Sequence, residues 1–188
     1  IGAKVCYIYV RGEFYHLQHV LETELRRAYE AGFVGANILD SGEQIDIYIH
    51  RGAGAYEAGE ETALIESLEG KRAQPRLKPP FPAVVGLYGC PTVVNNVETI
   101  CNVPLILDRG WEWYAVIGPD KNTGPKLYCV SGHVNRPGVY ETDMSVTLRQ
   151  LIYDYAGGIP GDRRLKAVIP GGSSTNVLPA DKIDVQAS

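Results

Sequence analysis

The spacing of apolar and polar positions predicts an α/β unit at the start of the chain. Residues 3–10 form a nearly continuous apolar and aromatic run, which is typical of a strand buried on both faces. From Phe14 to Tyr29, apolar residues recur every three or four positions and Gly32 follows, which predicts an amphipathic helix. Strict alternation over residues 45–50 predicts a second strand. This order predicts a βαβ unit with a parallel sheet, in which ligands bind at the carboxyl ends of the strands.

The second strand leads directly into a glycine-rich turn, RGAGAYEAGEE (residues 51–61), and a helix is predicted from about Gly59 to residue 68. A P-loop would need Lys and then Ser or Thr after Gly59, where Glu60 and Glu61 stand, so a P-loop NTPase is excluded. The Rossmann pattern needs Gly or Ala where Glu57 stands, so a standard dinucleotide turn fits poorly.

Two interpretations of this turn stay open. A flat ligand can lie against backbone that carries no side chains, with the two glutamates accepting hydrogen bonds from hydroxyl groups such as those of a ribose. Alternatively, Gly52 and Gly54 only make a tight turn, and Glu60 and Glu61 are first-turn residues that the helix dipole favours.

A proline-stiffened segment, KRAQPRLKPPFPA (residues 71–83), follows the helix. It holds Lys78, which can pair with Glu61 or with a ligand phosphate, and Phe81, which can stack on a base or serve as a core residue. A further helix is predicted from about Asn95. Asn95 and Asn96 can cap it, or with Thr99 they can bind a phosphate at the positive helix end.

The pattern of apolar residues is interrupted at residues 118–124, which are polar and typical of turns and so predict a linker. Beyond it, strands are predicted in KLYCVSG and GVYE, a Ser/Thr-capped helix in SVTLRQLIYDYAGG, and a strand in LKAVIPGG. This ββαβ order predicts a small α+β module. The sequence therefore predicts two domains, residues 1–118 and residues 119–188.

Composition narrows the function classes. Apolar residues make up 45% and charged residues 21%, as in an ordinary globular protein. The net charge of −4 argues against a nucleic-acid partner, and no apolar run approaches the roughly 20 residues of a membrane helix, so direct membrane insertion is not expected. Cys6, Cys90, Cys101 and Cys129 form no metal-site pattern, and we expect them to be reduced and mostly buried. Neither end carries a terminal signature, so we expect a portion of a longer polypeptide.

Residues 51–100 resemble the flavin and NADH site region of the NADH- and FMN-binding flavoprotein subunit of respiratory complex I. NAD-reducing hydrogenases and NAD-linked formate dehydrogenases share this pattern. The flanking segments YIYVRGEF and SGHVNRPGVYE resemble the same family, so the likeness covers essentially the whole chain. It implies a partial Rossmann-like parallel-sheet domain for flavin and NADH, followed by a small ubiquitin-like β-grasp domain, often named SLBB.

The resemblance also implies roles for individual residues. Those lining the FMN site and the approach of the nicotinamide are Gly54, Ala55, Tyr56, Gly59, Glu60 and Glu61. Glu60 and Glu61 are the implied catalytic residues, and Glu61 also meets ribose hydroxyls. Lys78 helps to hold the dinucleotide and Phe81 stacks on the adenine. The FMN ribityl phosphate is implied to be held by Asn95, Asn96 and Thr99.

The implied activity is hydride transfer from NADH to FMN, from which electrons pass singly to iron–sulfur clusters and on to quinone. The implied partners are NADH and other peripheral-arm subunits, on the cytoplasmic or mitochondrial matrix side and attached to the membrane through those subunits. One alternative is the equivalent diaphorase subunit of a hydrogenase or formate dehydrogenase. Another is a non-catalytic binding or assembly module of the SLBB type.

The sequence departs from the family pattern at two points. Glu57 and Ala58 stand where the family usually has Ile and Cys. The family's upstream glycine-rich loop and the downstream cysteines that ligate a 4Fe-4S cluster are not in this chain. We therefore expect the cluster in the full-length subunit only, and this segment alone to be inactive.

Overall fold

The computed structural model describes residues 2–172 and 174–187, which form two compact units, Ile1–Asn95 and Asn96–Ser188. The first unit combines helices with one two-stranded sheet, and the second combines helices with two such sheets. The strands are β1 (Val5–Val10), β2 (Asp46–Arg51), β3 (Pro125–Val130), β4 (Gly138–Asp143), β5 (Ala167–Val168) and β6 (Leu178–Pro179). The helices are α1 (Tyr15–Glu30), α2 (Glu61–Leu68), α3 (Val97–Arg109), α4 (Trp111–Ala115) and α5 (Leu148–Gln150). Within the described residues, no helix has the length and apolar character needed to cross a bilayer.

The first unit contains the predicted βαβ arrangement. β1 and β2 pair in parallel, in register from Val5 opposite Asp46 to Val10 opposite Arg51. α1 connects them and packs against β2. It ends before Gly32, whose positive φ of 73° a side chain would disfavour. The periodicity of the sequence therefore predicted these three elements correctly, to within three residues at each end.

The prediction that β1 is buried on both faces is wrong. Val10 is buried, but Val5 is 47% exposed and Tyr7 is 38% exposed. Among the described residues the sheet has two strands, and the helix that joins them packs on β2. Burial on both faces needs layers on both sides of a sheet, and this unit supplies too little to cover β1.

The second helix of the first unit is α2, and three of its side chains, those of Thr62, Ala63 and Ile65, are buried. Ala63 and Ile65 are fully buried. The helix ends as predicted at Gly70, where the N–H of Gly70 donates to Ser67 and the N–H of Lys71 donates to Glu66. This pattern satisfies the last carbonyls of a helix, and glycine permits it because φ at this position is 76°.

The second unit contains the antiparallel hairpin of β3 and β4, in register from Pro125 opposite Asp143 to Val130 opposite Gly138. Its buried core consists of Tyr128, Val146, Leu148, Leu151, Ile152 and Ile183. The helix predicted in SVTLRQLIYDYAGG is shorter than expected. α5 begins with a capping box between Thr147 and Gln150 and passes into one π-helical turn, Leu151–Tyr155. The strand predicted in LKAVIPGG is the two-residue β5, which pairs with β6.

All four cysteines are free in this structure, and the expectation that they are mostly buried is wrong. Cys90, Cys101 and Cys129 are exposed and Cys6 is half-buried. Cys129 points away from the core because its neighbour on β3, Tyr128, faces it. Cys101 lies on α3, which has no buried residue in this unit.

Replacing Ile183 by alanine should destabilise the protein. Ile183 is 1% exposed in the core of the second unit, and truncating a buried isoleucine costs about 2–5 kcal/mol because it loses burial and leaves a cavity. The free energy of unfolding in urea, followed by circular dichroism, measures this loss. Val177, which is 58% exposed, provides the control, and Val177→Ala should change that free energy little. Equal losses in the two variants would contradict the assignment of the core.

Candidate functional site

The candidate site begins where β1 and β2 end, because parallel neighbours present their carboxyl ends at one edge of the sheet. The loops that follow the two strands approach each other closely. A Cβ atom on Gly12 would collide with the carbonyl oxygen of Gly52, and one on Gly52 would lie 2.5 Å from the hydroxyl oxygen of Tyr9. Sequence reasoning missed Gly12. The available signal was a glycine placed just after the first of two parallel strands.

Beyond this contact, the glycine turn presents backbone to open space. Gly54 has a φ of 87°, and a Cβ atom on either Gly54 or Gly59 would have no neighbour within 4 Å. Ala55 and Tyr56 are exposed, Tyr56 to 95%. A flat ligand can therefore lie against this stretch without displacing a side chain.

The two positions that depart from the family pattern face in different directions. Ala58 is 4% exposed and packs inside the unit, whereas Glu57 is exposed to solvent. Solvent around a carboxylate weakens its effect on neighbouring groups. The extra negative charge at Glu57 is therefore well screened in this structure.

Glu60 caps α2. One of its carboxylate oxygens, Oε2, accepts hydrogen bonds from the backbone N–H groups of Thr62 (2.9 Å) and Ala63 (2.8 Å) and from the Thr62 hydroxyl (2.5 Å). Burial by itself raises the pKa of Glu60. These hydrogen bonds, together with one from Lys78, outweigh burial and lower that pKa to about 2. Glu60 is therefore a fixed anion at neutral pH.

Lys78 closes onto the same helix start. Its Nζ lies 2.5 Å from Oε1 of Glu61 and 3.2 Å from Oε1 of Glu60. The hydrogen bond with Glu61, and then that with Glu60, raises the pKa of Lys78. Of the two partners considered for Lys78, this structure shows the glutamate. Phe81, three residues further on, is 57% exposed, so its interpretation as a core residue is wrong.

An ion-pair network fixes the proline-containing segment on α2, and sequence reasoning missed it. The guanidinium of Arg76 lies 2.5 Å from Glu66 and 2.9 Å from Glu69, and it also donates to the carbonyl of Gly86 at 3.1 Å. Lys71 donates to Glu69 at 2.7 Å. A possible signal was the opposite charge of the helix and the segment, although it did not indicate which residues pair.

Glu69 is the most enclosed member of that network. A hydrogen bond from Lys71 lowers the pKa of Glu69 most, whereas burial raises it. Hydrogen bonds from Arg76 and from the backbone N–H of Tyr88 lower that pKa further. The result is a pKa of about 2. The carboxylate of Glu69 is therefore charged at neutral pH when the proline-containing segment is packed on α2.

The three residues expected at a phosphate lie in the stretch of sequence where the first unit ends and the second begins. Asn95 is exposed at the end of the first unit. In the second unit, the side-chain oxygen of Asn96 accepts from the backbone N–H of Glu98 at 2.7 Å and so caps α3. Thr99 is exposed in the first turn of that helix. The structure thus brings together Glu60, Glu61 and Lys78 in one unit, and Asn96 and Thr99 at a helix start in the other.

Two family models match the chain. The model described as the Nuo51 FMN-binding domain matches residues 1–105, and the model of the SLBB domain matches residues 126–188. The predicted fold class, a parallel-sheet α/β domain followed by an SLBB domain, is confirmed by these matches together with the parallel sheet. Within the described residues, no group of three or more His, Cys, Asp or Glu side chains is arranged to hold a metal ion.

Similar proteins carry names that agree with these models. The F subunit of NADH-quinone oxidoreductase from Rickettsia massiliae (strain Mtu5) is 58% identical over 95% of this chain and 43% of that protein. A second relative, from Rhizobium meliloti (strain 1021), bears the same F designation with the number 2, and it is 56% identical over 98% of this chain and 44% of that protein. This chain thus spans less than half the length of these relatives.

A solved structure of an NAD⁺-reducing [NiFe]-hydrogenase in the H₂-reduced state superimposes with a TM-score of 0.85 at 41% identity. The match covers 98% of this chain and 30% of the hydrogenase chain.

Replacing Glu69 by glutamine should weaken the fold in a pH-dependent way. In the folded protein the pKa of Glu69 is about 2, below its ordinary value of 4.5. The charged carboxylate therefore stabilises the fold at pH values above 4.5, and this stabilisation is lost as the pH falls from 4.5 toward 2. Losing hydrogen bonds to a charged group costs about 1–3 kcal/mol. Urea unfolding at a series of pH values should therefore show a difference from the unsubstituted protein at pH 7 that narrows below about pH 4.5.

The matched control is Glu30, an exposed residue of α1 that has no ion-pair partner in the described part of the chain. Glu30→Gln should give a small difference with no such narrowing. A difference for Glu69→Gln that stays constant from pH 7 to pH 2 would contradict the role given to the ionised carboxylate.

Proposed function

The chain belongs to the family described as the Nuo51 FMN-binding domain, and from this premise we propose that it is the central part of the NADH- and FMN-binding flavoprotein subunit of an NADH:quinone oxidoreductase. The relatives named as F subunits of NADH-quinone oxidoreductase support this assignment at 56–58% identity. The second candidate is the equivalent diaphorase subunit of an NAD-reducing hydrogenase, which the superimposed hydrogenase supports at 41% identity. The higher identity favours the first.

The observation that carries the proposal is the position of Lys78 between Glu60 and Glu61. This places a cation and two carboxylates at the start of α2, directly after the open backbone of the glycine turn. The exposed ring of Phe81 belongs to the same proline-containing segment as Lys78. A cation complements a phosphate, a carboxylate accepts hydrogen bonds from ribose hydroxyls, and an exposed ring stacks on a base. Together they supply the contacts that a dinucleotide needs.

The residues present also fit a flavin. The glycine turn presents open space at Gly54 and Gly59, where a planar ring can approach the backbone, and Tyr56 stands exposed beside it. Bound FMN supplies a hydride acceptor that releases its electrons one at a time. In this assignment Asn95, Asn96 and Thr99 hold the ribityl phosphate, because the first N–H groups of α3 and their dipole favour an anion.

The proposal assigns separate work to the protein's own groups. Glu61 receives the ribose hydroxyls of NADH, Lys78 and Phe81 hold its adenosine half, and the glycine turn keeps the nicotinamide against the flavin. Hydride transfer requires the two reacting atoms at about 3–3.5 Å, so this orientation is the main contribution of these residues. Glu60 holds the start of α2 in place beneath the site.

The remaining parts of the activity involve other segments and subunits. We assign the iron–sulfur cluster to the part of the subunit outside this chain, since the relatives are more than twice as long. The partners are the other subunits of a peripheral arm, on the cytoplasmic or matrix side of a membrane. The domain boundary expected near residue 118 stays a prediction.

Replacing Lys78 or Phe81 by alanine in the full-length subunit should raise the KM for NADH while FMN stays bound. Base stacking on an aromatic residue is worth about 1–3 kcal/mol, so an increase of about fivefold or more is expected for Phe81→Ala. Steady-state kinetics with NADH and a flavin content measured by absorbance test this. Leu77, which is 93% exposed beside Lys78, gives the control, and Leu77→Ala should leave the KM unchanged. An unchanged KM in both Lys78→Ala and Phe81→Ala would refute the dinucleotide assignment.

Replacing Glu57 by isoleucine should raise the flavin reduction potential only slightly. A carboxylate near reduced flavin disfavours that anionic form, but Glu57 is exposed and its charge is screened by solvent. We expect an upward shift smaller than about 30 mV, which corresponds to one tenfold change in a two-electron equilibrium. A spectroscopic redox titration of the purified subunit measures it. A much larger upward shift would mean that the carboxylate of Glu57 faces the ring.

A further inference from the structure

Thr62 is a polar residue buried at the start of α2. It is 1% exposed. Among the residues that the structure describes, Thr62 and Tyr128 are the two buried residues whose side chains carry a polar group. Its hydroxyl donates to Oε2 of Glu60 at 2.5 Å and accepts from the backbone N–H of Arg76 at 2.8 Å. A hydroxyl has one proton to donate and lone pairs to accept with, so these two bonds are compatible and satisfy it.

The two bonds connect different segments. Glu60 belongs to the helix start, and Arg76 belongs to the proline-containing segment, fourteen residues after Thr62. Two residues beyond Arg76, the ammonium group of Lys78 returns to Oε1 of Glu60. The contacts therefore form a closed ring that runs from Thr62 through Glu60 and Lys78 and back along the backbone to Arg76.

This ring fixes the place of Lys78 from both sides. The ammonium group of Lys78 is held by the carboxylate of Glu60, which the Thr62 hydroxyl orients. The backbone next to Lys78 is held at Arg76, whose N–H donates to that hydroxyl. A group held in its binding position before the ligand arrives loses less conformational freedom on binding, which strengthens binding without any new contact.

We propose that Thr62 is a positioning residue for the dinucleotide, and that its hydroxyl sets the affinity of the site although the side chain is buried beneath it. The inference rests on the proposed function, because it concerns the same dinucleotide site. It adds a residue that the family resemblance did not place at that site. Thr62 acts through Glu60 and through the backbone next to Lys78.

The hydroxyl and the methyl group of Thr62 can be tested separately. Thr62→Val keeps the shape of the buried side chain and removes the hydroxyl, so the N–H of Arg76 loses its partner and Glu60 loses one donor. Thr62→Ser keeps the hydroxyl and removes the methyl group. Thr62→Ala also removes the hydroxyl without requiring the packing of valine, so it provides the same test if Thr62→Val does not fold.

The experiment measures the Kd of ADP-ribose by calorimetric titration of the full-length FMN-loaded subunit and its variants. ADP-ribose carries the adenosine and both phosphates of NADH but cannot reduce the flavin, so binding is read without turnover. The melting temperature and the flavin content are measured on the same samples. We expect a rise in Kd of about three- to tenfold in Thr62→Val and Thr62→Ala, because a Lys78 side chain that is no longer held must be ordered when the ligand binds.

A purely structural role would give a different result. It predicts lower melting temperatures in all three variants and an unchanged Kd, whereas positioning predicts a raised Kd in the two variants without a hydroxyl and a Kd within about twofold of the original in Thr62→Ser. Unchanged binding in Thr62→Val and Thr62→Ala overturns the inference, and so does a Thr62→Ser Kd as high as theirs. Equal binding by Lys78→Ala also overturns the inference, because Thr62 acts through the placement of Lys78. Failure of the unsubstituted subunit to bind ADP-ribose overturns the proposed function itself.

Discussion

The carboxylate of Glu60 is the group on which the candidate site depends. Its Oε2 caps α2 through the N–H groups of Thr62 and Ala63, and its Oε1 pairs with Lys78. A helix cap is fixed by backbone groups that cannot rotate away, so the start of α2 sets the position of the Lys78 charge. Because the pKa of Glu60 is about 2, this connection persists across the physiological pH range.

The sequence predicted the elements whose signals are local. The period of the apolar residues is enough for β1, α1 and β2, and glycines mark the turn before α2 and the end at Gly70. Burial was harder to predict, because it depends on what covers a residue. β1 has the apolar composition of a central strand and yet lies exposed, and Cys129 was expected inside although Tyr128 takes the inward position on β3. The π-helical turn in Leu151–Tyr155 also has no signal in the periodicity.

The same distinction applies to the candidate site. Proline composition suggested that Lys78 and Phe81 are held rigidly, because each ring fixes φ. Fixed φ angles make a segment stiff but do not determine where it lies. Its place on α2 comes from Arg76, through ion pairs with Glu66 and Glu69 and a backbone hydrogen bond to Thr62. These partners lie seven to fourteen residues away and become recognisable only once the segment is folded back on the helix.

The structure also separates two residues that the family resemblance treated alike. Glu60 is engaged by three donors besides Lys78, so moving it would undo the start of α2. Within the described part of the chain, the carboxylate of Glu61 has Lys78 as its only partner. In the proposed function, a dinucleotide phosphate pairs with Lys78 where it stands and competes with Glu61 for its charge, whereas the cap bonds of Glu60 stay in place. The carboxylate of Glu61 can then accept hydrogen bonds from a ribose. We therefore propose that Glu60 supports the site and that Glu61 meets the ligand, with the ion pair between Lys78 and Glu61 holding both charges in place in the free protein.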